Sequence, residues 1–384
     1  MVSYDDWVVK GIPYVLVIIF AVAFLFFGNR IATTGMVVYE SEDAANAYEA
    51  RILRIVSITD HYTDFDEWQV FLFEAEIISR GERRGEVITF TQSTRFLFER
   101  FNRVAHEGDR IMIVLSAVGT WNFIDYVRIY NVAILGAVFI VMLVIFGKFK
   151  GFNSVLSLGL TCLGIFSVFL PSVLSGRNIY VSSILICIYA IITTIFIING
   201  VNKKSSAAVA GCLGGVLAAG LLTFFMSRTM QLTGIIQSES RVLLNLPLEY
   251  PIDLNAIIFA GIIIGAVGAI IDMAVSISSA LWELKIQMPD ASFKDIFTSG
   301  ITIGKDILGS SINTLVLAYI GSSLTVVLFL ISHFNSVLRI LNRELVLVEL
   351  LQAIIGGIGI FLTMPLTALI CALLYVQSSS NRYS

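Results

Sequence analysis

Asp272 stands inside GIIIGAVGAIIDMAVSISSAL (261–281), an otherwise apolar run, and is the only carboxylate set well within a long apolar stretch of the chain. An ionisable group at membrane depth is costly to keep there, so it is by default a candidate for binding an ion or a substrate. Gly261, Gly265, Gly268, Asp272, Ser276, Ser279 and Glu283 recur every three or four positions. At about 100° per residue they fall on one stripe of a helix, and that stripe must face protein or water. The next apolar segment carries a second row, Thr302, Asp306, Ser310 and Asn313. Consecutive spans run in opposite directions, which sets Asp272 level with Asn313, Ser276 with Ser310, and Ser279 with Asp306. If the two helices are neighbours, the rows are expected to face each other.

Two chemistries fit this arrangement. In one, Asp272 is protonated or hydrogen-bonded to Asn313 and the serines and ties the bundle together. In the other, Asp272, Ser276, Ser279, Asp306, Ser310 and Asn313 line a pathway and bind a proton, a cation or a substrate amine. A shared-proton acid pair is not expected. In this register Asp272 and Asp306 lie about seven residues apart in depth, roughly 10 Å, too far for two carboxylates to share a proton.

Other chemistries find no support in the chain. Cys162, Cys187, Cys212 and Cys371 all lie in apolar runs without CxxC spacing and read as small hydrophobes. His61, His106 and His333 fall outside the hydrophobic runs, which argues against a haem or histidine metal centre in the membrane. No GxxxxGK[ST] occurs, and no serine in the spans has a recognisable base partner. No catalytic residue, metal ligand or cofactor is therefore assigned. The acidic stretch from Asp60 to Glu67 either holds a divalent ion or is a solvated loop; calcium-loop spacing is absent.

The elements that must position Asp272 follow from composition. Of 384 residues, 57% are hydrophobic and 14% charged, with a mean hydropathy of +0.87. Soluble domains carry about 25% charged residues, so this chain is built for lipid. Its formal charge of −3 gives no footing for nucleic acid. Residues 11–28 form an uncharged run that reads as a retained first span; Asp5 and Asp6 beside Lys10 are poor company for a signal peptide. Seven further apolar runs lie near 129–147, 154–175, 179–199, 206–226, 254–281, 305–332 and 348–376. Each is long enough to cross a hydrocarbon core of about 30 Å.

Residues 35–128 differ in kind, with 16 acids, 10 arginines and no lysine. Six short β-rich runs, ARILRIVSIT, WQVFLFEAEIIS, GEVITFTQ, TRFLFE, RIMIVLSAV and WNFIDYVR, predict a small antiparallel barrel or sandwich, OB-like in its strand number. Lys10, Lys148, Lys150, Lys203, Lys204, Lys285, Lys294 and Lys305 fall on one side of the spans. Arg177, Arg228, Arg241, Arg339 and Arg343 fall on the other. The bias puts both termini in the cytoplasm and the β-rich segment outside.

Three local features complete the reading. Gly211 and Gly215 form a small-xxx-small pair suited to close helix packing. The last span holds Gly356, Gly357, Gly359 and Pro365, a candidate helix break of the kind that marks binding sites in transporters. Ser292-Phe293-Lys294-Asp295 resembles a capping box and predicts a short amphipathic surface helix. That helix is either a plain elbow or, over 290–301, a dock for a second membrane subunit or a cytoplasmic partner.

The runs IDMAVSISSALWEL, SGITIGKDILGSSINTLVLAYIGSSL and GGIGIFLTMPLTALICALLY, with KGFNSVLSL, FLPSVLSG and NGVNKKSSAAVAGCLGG before them, resemble the YibE/F family of polytopic membrane proteins over roughly residues 130–376. The resemblance implies an integral membrane protein with an extracytoplasmic segment after its first helix. It also implies that Asp272, Ser276, Ser279, Glu283, Asp306, Asn313 and Pro365 are signature positions, and it suggests a transporter or permease role. The expected architecture is an α-helical integral membrane protein of about eight spans with a small extracytoplasmic all-β domain between the first two. Its parts are a first span (1–30), the β-rich domain (31–128), a seven-helix domain (129–376) and a cytoplasmic tail (377–384). The expected function is a bacterial cell-membrane transporter or permease component for a small solute or ion. The alternative is a sensor or scaffold whose outer domain binds a partner or envelope component.

Overall fold

The computed structural model describes residues 4–36, 47–62, 67–95, 104–116, 118–236, 238–244, 251–333 and 336–380. They divide into two compact units, residues 38–141 and the remainder of the chain.

The smaller unit holds a closed five-stranded barrel of β1 (Ala47–Tyr62), β2 (Glu67–Ile77), β3 (Val87–Arg95), β4 (Arg110–Leu115) and β5 (Trp121–Tyr126), in the order β1-β2-β3-β5-β4. All pairs are antiparallel except β3 with β5, where Phe90 and Thr91 pair with Trp121 and Asn122. That crossover is the connectivity of an OB-type barrel. On β2 the alternation is strict, with Phe71, Phe73, Ala75 and Ile77 inside and Leu72, Glu74 and Glu76 turned outward. Ile52, Ile88, Phe90, Ile111 and Ile113 fill the rest of the core. Five strands stand where six runs are expected: TRFLFE contributes only the end of β3 and then leaves the described residues, as does most of the acidic loop before β2.

Among the described residues, ten helices account for nearly all the rest. They are α1 (Tyr4–Thr33), α2 (Ile129–Gly164), α3 (Leu170–Leu174), α4 (Ile179–Asn199), α5 (Lys203–Thr229), α6 (Ser238–Leu244), α7 (Leu254–Gln287), α8 (Phe293–His333), α9 (Val337–Leu341) and α10 (Glu344–Ser380). A π-helical segment, Ile165–Phe169, joins α2 to α3. Their starts are built as polar side chains dictate. Asn178, Asn202 and Asp253 accept hydrogen bonds from the third residue on, at Val181, Ser205 and Ala256. Ser292 and Asp295 form a reciprocal capping box at the start of α8.

Among the described residues, seven helical stretches are long and apolar enough to cross a membrane. Eight apolar runs become seven because 129–147 and 154–175 fall in one 46-residue stretch, Ile129–Leu174. The stretch breaks at Lys148, whose φ of 49° and ψ of −129° are not helical. Gly151 then lies directly against the carbonyl of Leu143, a contact that leaves no room for a Cβ. The predicted surface helix at 292–301 is likewise no separate element. It forms the first turns of the 41-residue α8, which at 1.5 Å per residue is about 60 Å long and extends well beyond a bilayer core.

In the larger unit α10 packs against α5, α7 and α8, and α7 also against α4 and α5. Small residues let the backbones approach. Gly211 and Gly215 of α5 lie directly against the hydroxyls of Thr367 and Thr363 on α10, and Gly300 and Gly304 of α8 against Ala368 and Met364. The expected break in α10 does not end the helix, which runs from Glu344 to Ser380 with Pro365 inside it. Its glycines serve packing, with Gly356 and Gly357 facing Leu315 and Ile312 of α8, and Gly359 facing Ile270 and Ala219.

Candidate functional site

The site is built on the glycine stripe of α7. At the Leu254 end, Gly261 lies under the Gln352 amide, and Gly265 under the Tyr319 hydroxyl, where a Cβ would come within 2.5 Å of that oxygen. Nothing stands within 4 Å of a Cβ position at Gly268. Below Gly268 the stripe opens into a half-open cavity of about 340 Å³, lined on this side by Gly268 and by Asp272, which is exposed on α7.

The remaining walls come from elsewhere than expected. Ser157, Leu158 and Thr161 of α2, Ile165 of the π-helical segment, and Ile186, Cys187, Ala190 and Thr194 of α4 line the cavity with Ile264, Val267 and Ile271. Asp272 has no hydrogen-bond partner among the described residues. The Thr161 hydroxyl is enclosed and also lacks one. Ser157 is buried and donates to the Ser154 carbonyl. The π-helical segment widens α2 beside the cavity, a distortion that recurs at functional sites. An acidic group, two or three hydroxyls and apolar walls form a setting that can hold a proton or a small cation.

Of the expected pathway residues, the cavity gathers Asp272 alone. Ser276 and Ser279 lie half-buried further along α7 and do not line it. α7 and α8 are indeed neighbours. Yet Thr302, Asp306, Ser310 and Asn313 do not line the Asp272 cavity and are exposed on α8. α8 turns its small and apolar face, Gly300, Gly304, Ile312 and Leu315, toward α7 and α10, which rotates the polar row outward. The Ser310 hydroxyl is satisfied by its own helix, donating to the Ile307 carbonyl.

The α2 and α4 residues that share the cavity with Asp272 are not the expected ones, because the regular polar row lies on α8, the next helix in sequence. A signal was available: Ser154, Ser157 and Thr161 recur at helical spacing on α2. No three His, Cys, Asp or Glu side chains converge as a metal site among the described residues. Three cysteines, Cys187, Cys212 and Cys371, are buried as expected, whereas Cys162 is exposed; all four are free thiols.

A family model described as YibE/F-like protein matches residues 135–377, a span that contains every wall of the cavity. No curated protein and no solved structure matches the chain.

Proposed function

We propose that this chain, which belongs to the YibE/F family, is a multi-pass transporter or permease component of a bacterial cell membrane, with Asp272 as its ion- or proton-binding group. One observation carries the reading. A carboxylate without a partner among the described residues lines a cavity of about 340 Å³ in a helix bundle of otherwise apolar spans. A carboxylate kept only to hold helices together would be expected to find a donor, because unsatisfied polar groups are costly in that medium. In the proposed topology the chain crosses eight times, reversing at Lys148, with both termini in the cytoplasm and the barrel outside. The lysine and arginine distribution supports that orientation. We place no catalytic chemistry in the chain.

The site is now drawn around Asp272, Thr161, Ser157 and Thr194 rather than around the polar row of α8. Proteoliposomes loaded with a pH-sensitive dye and given a pH step test it. The wild-type chain is expected to dissipate the step faster than Asp272→Asn, and Asn313→Leu to behave as wild type. A wild-type chain no faster than empty vesicles, or an unaffected Asp272→Asn, overturns the reading.

The sensor or scaffold alternative draws its support from the barrel, a closed unit with its own core. In that case the spans anchor and transmit while the barrel binds a partner.

A further inference from the structure

A second acidic group stands at the opposite end of the same stripe. Glu349 lies five residues into α10, about 7 Å along the helix from its first residue. One of its carboxylate oxygens is enclosed and has no hydrogen-bond partner. The hydroxyl of Tyr319 on α8 is in the same state, and the two groups interact electrostatically. Enclosed polar atoms without partners are rare in folded proteins, and each calls for an explanation. The two atoms stand on α8 and α10, which pack against each other.

Their placement relative to α7 supplies the explanation. Tyr319 Oη stands over Gly265, and Gln352, one turn beyond Glu349 on α10, stands over Gly261. Gly265 is three residues from Gly268, about 4.5 Å along the axis, and Gly268 already lines the Asp272 cavity. The order down the stripe is Gln352, Tyr319, the open space at Gly268, then Asp272. A methyl group at position 265 would collide with the hydroxyl, so glycine there is what lets the tyrosine reach the stripe.

We propose that Glu349 is a second proton-binding group, the entrance acid of the Asp272 site, with the Tyr319 hydroxyl as the hydrogen-bonding group between them. This rests on the reading of Asp272 as a binding site. The Glu349 carboxylate takes a proton from water at the Leu254 end of α7. The Tyr319 hydroxyl accepts one proton and donates its own to water in the open space at Gly268, remaining neutral, and that water delivers a proton to the Asp272 carboxylate. Among the described residues, the charged groups near this end are otherwise engaged: Arg228, near the end of α5, lies over the Phe224 ring. Glu344, on α10 itself, is engaged with the Thr233 hydroxyl and the backbone N–H groups of Thr233 and Gly234. Arg339 of α9 and Arg343, just before α10, have partners of their own.

Infrared difference spectroscopy of the purified full chain through a pH titration tests the proposal, with the flux assay alongside. A carboxyl band is expected that disappears in Glu349→Gln and survives in Asp272→Asn. Glu349→Gln and Tyr319→Phe are both expected to slow dissipation of the pH step toward the level of Asp272→Asn. If the Glu349 band does not titrate between about pH 4 and pH 10, it is a sealed structural acid and the proposal is overturned. If it titrates but Glu349→Gln conducts as wild type, Glu349 is off the path and the proposal is again overturned. An unaffected Asp272→Asn beside a titrating Glu349 would instead remove the Asp272 reading. Thermal unfolding of each variant separates loss of transport from loss of fold.

Discussion

Asp125 in the barrel shows how little burial a perturbed acid needs. Its carboxylate accepts the backbone N–H of Tyr126 at 2.7 Å and the guanidinium of Arg128 at 2.9 Å, which together hold its pKa below the usual carboxylate value. A depressed folded-state pKa contributes stability that is present at neutral pH and lost as pH falls through that value. The side chain is half exposed, so the contribution is a fraction of about 1 kcal/mol. Asp125→Asn should therefore destabilise β4 and β5 at neutral pH, and the gap to wild type should close on acidification below about pH 4. Amide hydrogen exchange of those strands measures it; a gap that stays constant would mean the charge is not what the asparagine loses. Asp272 was legible from sequence because every neighbour in its run is apolar. Glu349 was not, because it sits at the edge of its run, where a solvated acid is ordinary. Only the fold shows one of its oxygens enclosed and without a partner.

At the scale of elements, the glycines of α5 make a clean test of how the bundle is held. Gly215 lies directly against the Thr363 hydroxyl, whereas Gly159 of α2 has nothing within 4 Å of a Cβ position. The same substitution should therefore act in opposite senses. Gly215→Ala forces α5 from α10 and should cost about 1–3 kcal/mol. Gly159→Ala only removes backbone freedom and should be neutral or stabilising by up to about 1 kcal/mol. Unfolding midpoints in the same detergent decide between this and a bundle indifferent to helix separation, which would shift the two variants alike. The small-xxx-small pair was legible because its spacing is local. Which face α8 turns to its neighbours was not: its polar row and its glycine row, Gly300 and Gly304, are both regular, and packing against α10 chose the glycines. Lys148 and Lys150 marked the interruption of the second span, but hydropathy cannot show that helix continues on both sides of the break.

At the scale of the whole molecule, the two units have separate interiors. The buried clusters of the bundle and the cluster inside the barrel share no residue. The strand-rich composition of 35–128 predicts a separate β-rich segment, whereas the parallel β3–β5 closure depends on contacts far apart in the chain. Separate interiors give the two functional readings different consequences. If the Asp272 cavity is the working part, its walls lie entirely within residues 157–272, and removing 35–128 takes away none of them. The shortened chain should then keep the helical content and unfolding midpoint of the bundle, and it should dissipate a pH step with the same dependence on Asp272. If the barrel is the working part, the same deletion should leave the bundle folded yet abolish the cellular phenotype, with no Asp272-dependent flux to lose. Circular dichroism, thermal unfolding and the dye assay on one preparation therefore separate the readings. A folded, Asp272-dependent conductor supports the transporter, and a folded but silent bundle supports the anchored barrel.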